Sequence, residues 1–133
     1  MTQVLDASAV LEYVLGTPRS ATIRAIVEDP TADLLVPALC DAEVVSALRR
    51  LVLRRTITVD LARAAIDDYV DLPIERVAHE PLLRRVLDLR DNFGAFDALY
   101  VALAERHDAT LVTADASLAR AVMEHLRLPV IAP

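Results

Sequence analysis

Four acidic residues stand where chemistry could be done. Asp6 follows the apolar pair Val4 and Leu5 and precedes a helical pattern that starts near Ser8; Asp115 closes "TLVTAD" in the same way, ahead of "ASLARAVMEHL". In open parallel sheets ligands bind just beyond the carboxyl ends of the strands, so two acids in that position are candidates for one shared spot. Asp97 opens a helix whose stretch from Ala98 to Ala104 is an uninterrupted apolar run. A helix apolar all round is buried, so an acid at its N-terminal end points toward an interior or a cleft. Glu43, in "LCDAEVVSALRRLVLRR", lies at the margin of the face formed by Cys40, Val44, Ala47, Leu48 and Leu51.

Each acid also has a plainer reading. Asp is a favoured helix N-cap, worth about 0.5–2 kcal/mol, which suits Asp6, Asp97 and Asp115. Glu43 suits a solvated helix edge paired with Arg50 or Arg54. As a set the acids ask for more. If they met within about 5 Å, each pair would repel by about 3 kcal/mol at an effective dielectric of about 20, so the cluster needs cations. Oxygen-only ligands select hard ions, Mg²⁺ or Mn²⁺, which also bind phosphate oxygens. Such ions activate water and stabilise the leaving oxygen of a phosphodiester.

The composition removes competitors. All 14 basic residues are Arg, and a chain without Lys cannot run chemistry that depends on one, which excludes the receiver-domain and phosphotransfer readings of an Asp at a strand end. Glycine occurs only at 16 and 94, so neither a dinucleotide-binding glycine loop nor a P-loop can be written, and no G-x-S-x-G elbow is present. His79, His107 and His125 lack metal-ligand spacing, and with Cys40 as the one cysteine a zinc site is not expected. They read as surface or helix-end residues.

A net charge of −6 argues against gripping nucleic acid by bulk electrostatics. Local arginine pairs, Arg49 and Arg50 with Arg54 and Arg55, or Arg84 and Arg85, are the candidates for touching phosphates. Solvated helix faces are the alternative for each.

The elements that must position these residues alternate. Short runs rich in Val, Ile or Leu predict strands at Gln3 to Leu5, Leu34 to Val36, Ile74 to Val77, Thr110 to Thr113 and Val130 to Ile131. Helical patterns cover about Ser8 to Leu15, Arg19 to Glu28, Cys40 to Arg55, Val59 to Leu72, Pro81 to Arg90, Ala95 to His107 and Ala116 to Leu126. The alternation predicts a three-layer α/β/α sandwich around a parallel sheet of four or five short strands. At 133 residues, with no linker or repeat, one domain over 1–133 is expected, burying about two-thirds of the surface of its unfolded chain. The seven-residue apolar run is far short of the roughly 20 needed to cross a bilayer. With no signal-like N-terminus and no cysteine pair, a cytoplasmic location is the default.

Four stretches, "VLDASAV", "PALCDAEVVSALRR", "FDALYVALAERHDATLVTAD" and the short terminal strand, resemble in order and spacing the PIN-domain proteins, specifically the VapC-type toxins of bacterial toxin–antitoxin pairs. The resemblance covers essentially the whole chain. It implies that Asp6, Glu43, Asp97 and Asp115 form the acidic metal site of an Mg²⁺- or Mn²⁺-dependent endoribonuclease, with Ser8 and Thr113 as supporting hydroxyls. It also implies an RNA substrate, a cognate VapB-type antitoxin, and a homodimer or toxin–antitoxin hetero-oligomer. Leu51, Val52 and Leu53, on a helix apolar nearly all round, are compatible with such an interface but could equally complete the core. The competing expectation is a non-catalytic PIN-like binding module, its acids serving as caps and surface charge.

Overall fold

The computed structural model describes residues 1–133. Five strands form one sheet: β1 (Thr2–Leu5), β2 (Asp33–Pro37), β3 (Ile74–Val77), β4 (Thr110–Val112) and β5 (Val130–Ile131). Their order across the sheet is 3-2-1-4-5, and every neighbouring pair is parallel. The helices are α1 (Ala7–Leu15), α2 (Ser20–Val27), α3 (Leu39–Leu53), α4 (Val59–Asp71), α5 (Leu83–Asp88), α6 (Ala95–Arg106) and α7 (Ala116–His125). The expected three-layer arrangement is observed.

The strand order dictates the layers. From β1 the chain winds outward through β2 to β3, then returns to the other side of β1 for β4 and β5. Right-handed crossovers in opposite directions place helices on opposite faces. Accordingly α1 packs on α2, α3 and α4, while α6 lies on β1, β2 and β4 with α5 against it. Covered on both faces, β1, β2 and β4 bury Val4, Leu5, Leu34 to Val36, Leu111 and Val112, which is why they read as continuous apolar runs. Helix α6 buries every residue from Ala98 to Ala104, as its composition requires.

Winding reverses between β1 and β4, and their register sets Leu5 beside Val112. Such a reversal opens a crevice at the carboxyl ends of the two strands. The residues that follow them, Asp6 and Thr113 to Asp115, therefore leave the sheet side by side.

One helix differs from expectation. The stretch Pro81 to Arg90 is a 3-10 turn, Glu80–Leu82, followed by the short helix α5. The turn closes with the Leu82 N–H on the His79 carbonyl at 2.8 Å, and α-helical bonding starts only beyond it. Similarly α4 stops at Asp71 because Leu72, ahead of Pro73, is held extended. Gly16 ends α1 in the left-handed conformation, φ +63°, with its N–H on the Glu12 and Tyr13 carbonyls.

Candidate functional site

The strand reversal builds the site around Asp6. Its backbone N–H continues the sheet by donating to the Val112 carbonyl at 3.1 Å. Its side chain, in a residue only 5 % exposed, collects three donors. Oδ1 accepts from the Ser8 hydroxyl at 2.6 Å and the Ala9 N–H at 2.9 Å, and Oδ2 accepts from the fully buried Thr113 hydroxyl. Both hydroxyls also accept from the β4–α7 loop: Ser8 from the Ala114 N–H at 2.9 Å, Thr113 from the Asp115 N–H at 3.0 Å. With their single protons directed to Asp6, the two hydroxyls hold its carboxylate and lock the loop carrying Asp115 to α1. A carboxylate offers about four lone-pair positions, and three are filled, which leaves one. Burial raises the Asp6 carboxyl above its ordinary range; the bonds from Ser8, Thr113 and Ala9 offset this in part, and the charge of Asp115 adds to it.

The other three acids line the same cleft, about 630 Å³ in volume, between α1, α3 and α6. Asp115 caps α7, its Oδ1 accepting from the Ser117 N–H at 2.9 Å and the Leu118 N–H at 3.3 Å. Glu43, half-buried on α3, is gripped from across the sheet edge, where the buried Tyr100 of α6 donates its hydroxyl to Oε1 at 2.6 Å. Asp97, on the first turn of α6, receives no hydrogen bond from the side chains and backbone around it. Crowding by protein atoms raises its carboxyl, and the charges of Asp115 and then Glu43 raise it further. The charges of Glu43 and Asp115 thus bear on Asp97, and that of Asp115 on Asp6 as well.

As they stand, no three of these side chains close on one point tightly enough to hold an ion among them. The donor set nonetheless fits a hard cation: all oxygen, mutually repelling, with Asp97 free of protein partners and one oxygen each of Glu43 and Asp115 left open.

The arginines separate. Arg50 lines the cleft and bonds only the Ser46 hydroxyl, at 3.2 Å, whereas Arg49 is exposed outside it. Neither Arg50 nor Arg54 pairs with Glu43; Tyr100 takes that role. Arg85 is bound to Glu105 by two hydrogen bonds, 2.9 and 3.1 Å, which removes it from the free cations. His79 stands at a helix end, its Nε2 accepting from the Leu39 N–H at 2.9 Å. Tyr100 is the site residue that sequence reasoning missed. It sits three residues beyond Asp97, one helical turn on, and its hydroxyl is the one polar tip in the apolar run.

Fold and site together define a class: a doubly wound α/β protein with an acidic cleft at its switch point. Comparison with known proteins narrows it. Residues 4–122 match the PIN domain family model. Ribonuclease VapC1 of Mycobacterium tuberculosis is 42% identical over 120 residues, covering 89% of each chain. Ribonuclease VapC12 of the same organism is 35% identical over 117 residues, 88% of this chain and 89% of the relative. Among solved structures, VapBC2 from Rickettsia felis, bound to a DNA fragment from its promoter, superposes with a TM-score of 0.70 at 15% identity, covering 99% of this chain and 98% of that one. VapC20 of Mycobacterium tuberculosis, a Sarcin-Ricin loop cleaving toxin, gives 0.67 at 14% identity, covering 90% and 94%. The chain belongs to the PIN-domain family, among its VapC proteins.

Proposed function

We propose that this protein is the toxin ribonuclease of a toxin–antitoxin pair, an Mg²⁺- or Mn²⁺-dependent endoribonuclease that works in the cytoplasm and is held in check by a VapB-type antitoxin. The names of its ribonuclease relatives support the activity, and solved VapBC complexes of the same fold support a protein partner and a hetero-oligomer or homodimer. The observation that carries the reading is Asp97: a carboxylate without a protein donor, crowded by Asp115 and Glu43. Caps account for Asp6 and Asp115, as the binding-module alternative holds, but leave Asp97 and Glu43 unexplained.

In this reading Asp6, Glu43, Asp97 and Asp115 hold the ion. Once bound, it supplies a lowered pKa for the attacking water and positive charge for the phosphate oxygens. Ser8 and Thr113 favour the ionised form of Asp6 and orient it by donating to both of its oxygens. Tyr100 fixes Glu43 through one oxygen and leaves the other to the cleft. Arg50 offers the guanidinium that an otherwise acidic wall needs to meet a phosphate. Water adds across the P–O bond, and the leaving sugar oxygen takes up a proton.

The test is purified protein free of partner, incubated with structured RNA. Cutting should require Mg²⁺ or Mn²⁺, stop with EDTA, and vanish in Asp6→Asn with the fold retained. Cutting that persists in EDTA sinks the metal mechanism, and its absence under every condition favours the binding module.

A further inference from the structure

The chain has few aromatic rings, and all but one are put away. Tyr69, Phe93 and Tyr100 are buried, and the half-buried Tyr13 carries the Arg24 guanidinium over its ring, 5.2 Å from the centroid. Phe96 is 62 % exposed, on the first turn of α6 next to Asp97, and it lines the acidic cleft. A bare ring on a surface is ordinary by itself. Its place is not: the one uncovered aromatic face stands at the mouth of the cleft that holds the carboxylates. The wall it shares continues with the apolar side chains of Leu11 and Leu39, and Arg50 and Ser46 supply a positive charge and hydroxyl on the same lining.

That combination matches one kind of ligand. A nucleobase is a flat π-surface joined to a phosphate, and proteins hold unpaired bases by stacking them on aromatic side chains while cations track the backbone. A protein partner could also cover a ring; the Arg50 guanidinium, in no salt bridge and on the same lining as the ring, favours a ligand that carries a phosphate as well as a flat face. We infer that Phe96 is a stacking platform for an unpaired base of the RNA strand entering the cleft, which makes it a determinant of where the strand is cut. The inference rests on the ribonuclease reading and adds to it the ring that meets the base. Paired bases in a duplex present no free face to the ring.

The chain contains no Trp, so Phe96→Trp places a single reporter at the platform. The experiment uses the Asp6→Asn background, which stops cutting under the proposed mechanism, with Mg²⁺ present and a labelled short oligoadenylate as probe. Its polarisation reports binding and Trp emission reports stacking. Emission should be quenched in step with the rise in polarisation, whereas a blunt duplex RNA leaves emission unchanged. Phe96→Ala should weaken oligoadenylate binding roughly 5- to 100-fold, with affinity restored by Phe96→Tyr. Binding with unquenched emission, or Phe96→Ala binding as tightly as Phe96, overturns the platform while the ribonuclease reading stands. Loss of antitoxin binding alone in Phe96→Ala assigns the ring to a protein partner and overturns it as well. If no variant binds RNA and the parent chain does not cut, the ribonuclease reading falls, and the platform falls with it.

Discussion

Replacing Tyr100 with Phe removes one oxygen and should disable the site without dismantling the fold. Its hydroxyl donates to Glu43 Oε1 at 2.6 Å, a short bond to a carboxylate, and such charge-assisted bonds are worth about 1.5–3 kcal/mol. Tyr100 is buried, so Phe fills the same space and leaves no cavity. Glu43 is half-buried on the cleft wall and can turn toward water when its donor is lost, which brings the expected stability cost toward the lower end, about 1 kcal/mol. Function should suffer more. Groups that orient a ligating carboxylate typically matter by about 10- to 100-fold in metal affinity or activity. The assay is RNA cutting titrated with Mg²⁺, beside thermal unfolding of the same preparations. The midpoint for Mg²⁺ should move to higher concentration in Tyr100→Phe, with cutting partly recovered at saturating ion. A variant that cuts at the parental rate at every Mg²⁺ concentration refutes the positioning of Glu43 by Tyr100; so does one whose cutting falls only in proportion to unfolded protein.

Three further outcomes follow from the geometry. Thr113→Val keeps the shape but strips Asp6 Oδ2 and the Asp115 N–H of their partner, so denaturant unfolding should show a loss of about 1–3 kcal/mol and cutting should fall with it. Gly16→Ala meets no atom but forces an L side chain into φ +63°, and should cost about 1 kcal/mol by the same measurement with cutting unchanged. Burial raises the Asp41 carboxyl, but the Tyr69 hydroxyl and the Arg76 guanidinium, at 2.6 and 2.7 Å, outweigh it and hold the group below its ordinary range. The stability it contributes is therefore complete above about pH 4 and drains away as pH falls toward the lower folded value. Asp41→Asn should flatten the acid side of the stability profile in that window and leave the neutral side parallel to the parent's.

The sequence carried the periodicity of most elements, because β1, β2 and β4 each centre on a short apolar run, Val4 to Leu5, Leu34 to Val36 and Leu111 to Val112, and α6 buries every residue from Ala98 to Ala104. It also carried the four acids, since Asp6 and Asp115 follow strands, Asp97 opens the buried helix and Glu43 sits at the edge of a helical face. What it could not carry is strand order. Asp6 and Thr113 meet only because β4 returns to pair with β1, a contact between residues 107 apart in the chain. Arg85 read as free until Glu105, 20 residues on, came to its side. Tyr100 was hidden because a tyrosine within an apolar run satisfies the core pattern, and only the fold shows where its hydroxyl points. Phe96 was hidden the opposite way, an apolar residue in a buried helix that the first turn turns outward. The helix expected over Pro81 to Arg90 opens with a 3-10 turn, and hydrophobic periodicity over so few residues does not distinguish a 3-10 start from an α-helical one.

The central claim is that Asp6, Glu43, Asp97 and Asp115 act together on a divalent ion to cut RNA, and Asp97 tests it most sharply, since no protein bond depends on it. Without Mg²⁺ the Asp97→Asn variant, relieved of repulsion from Asp115 and Glu43, should unfold no more easily than the chelator-treated parent. On adding Mg²⁺ the parent should gain thermal stability and begin to cut RNA, and the variant should do neither. If Asp97→Asn cuts RNA and gains stability from Mg²⁺ as the parent does, the acids are caps and surface charge, and the account is wrong.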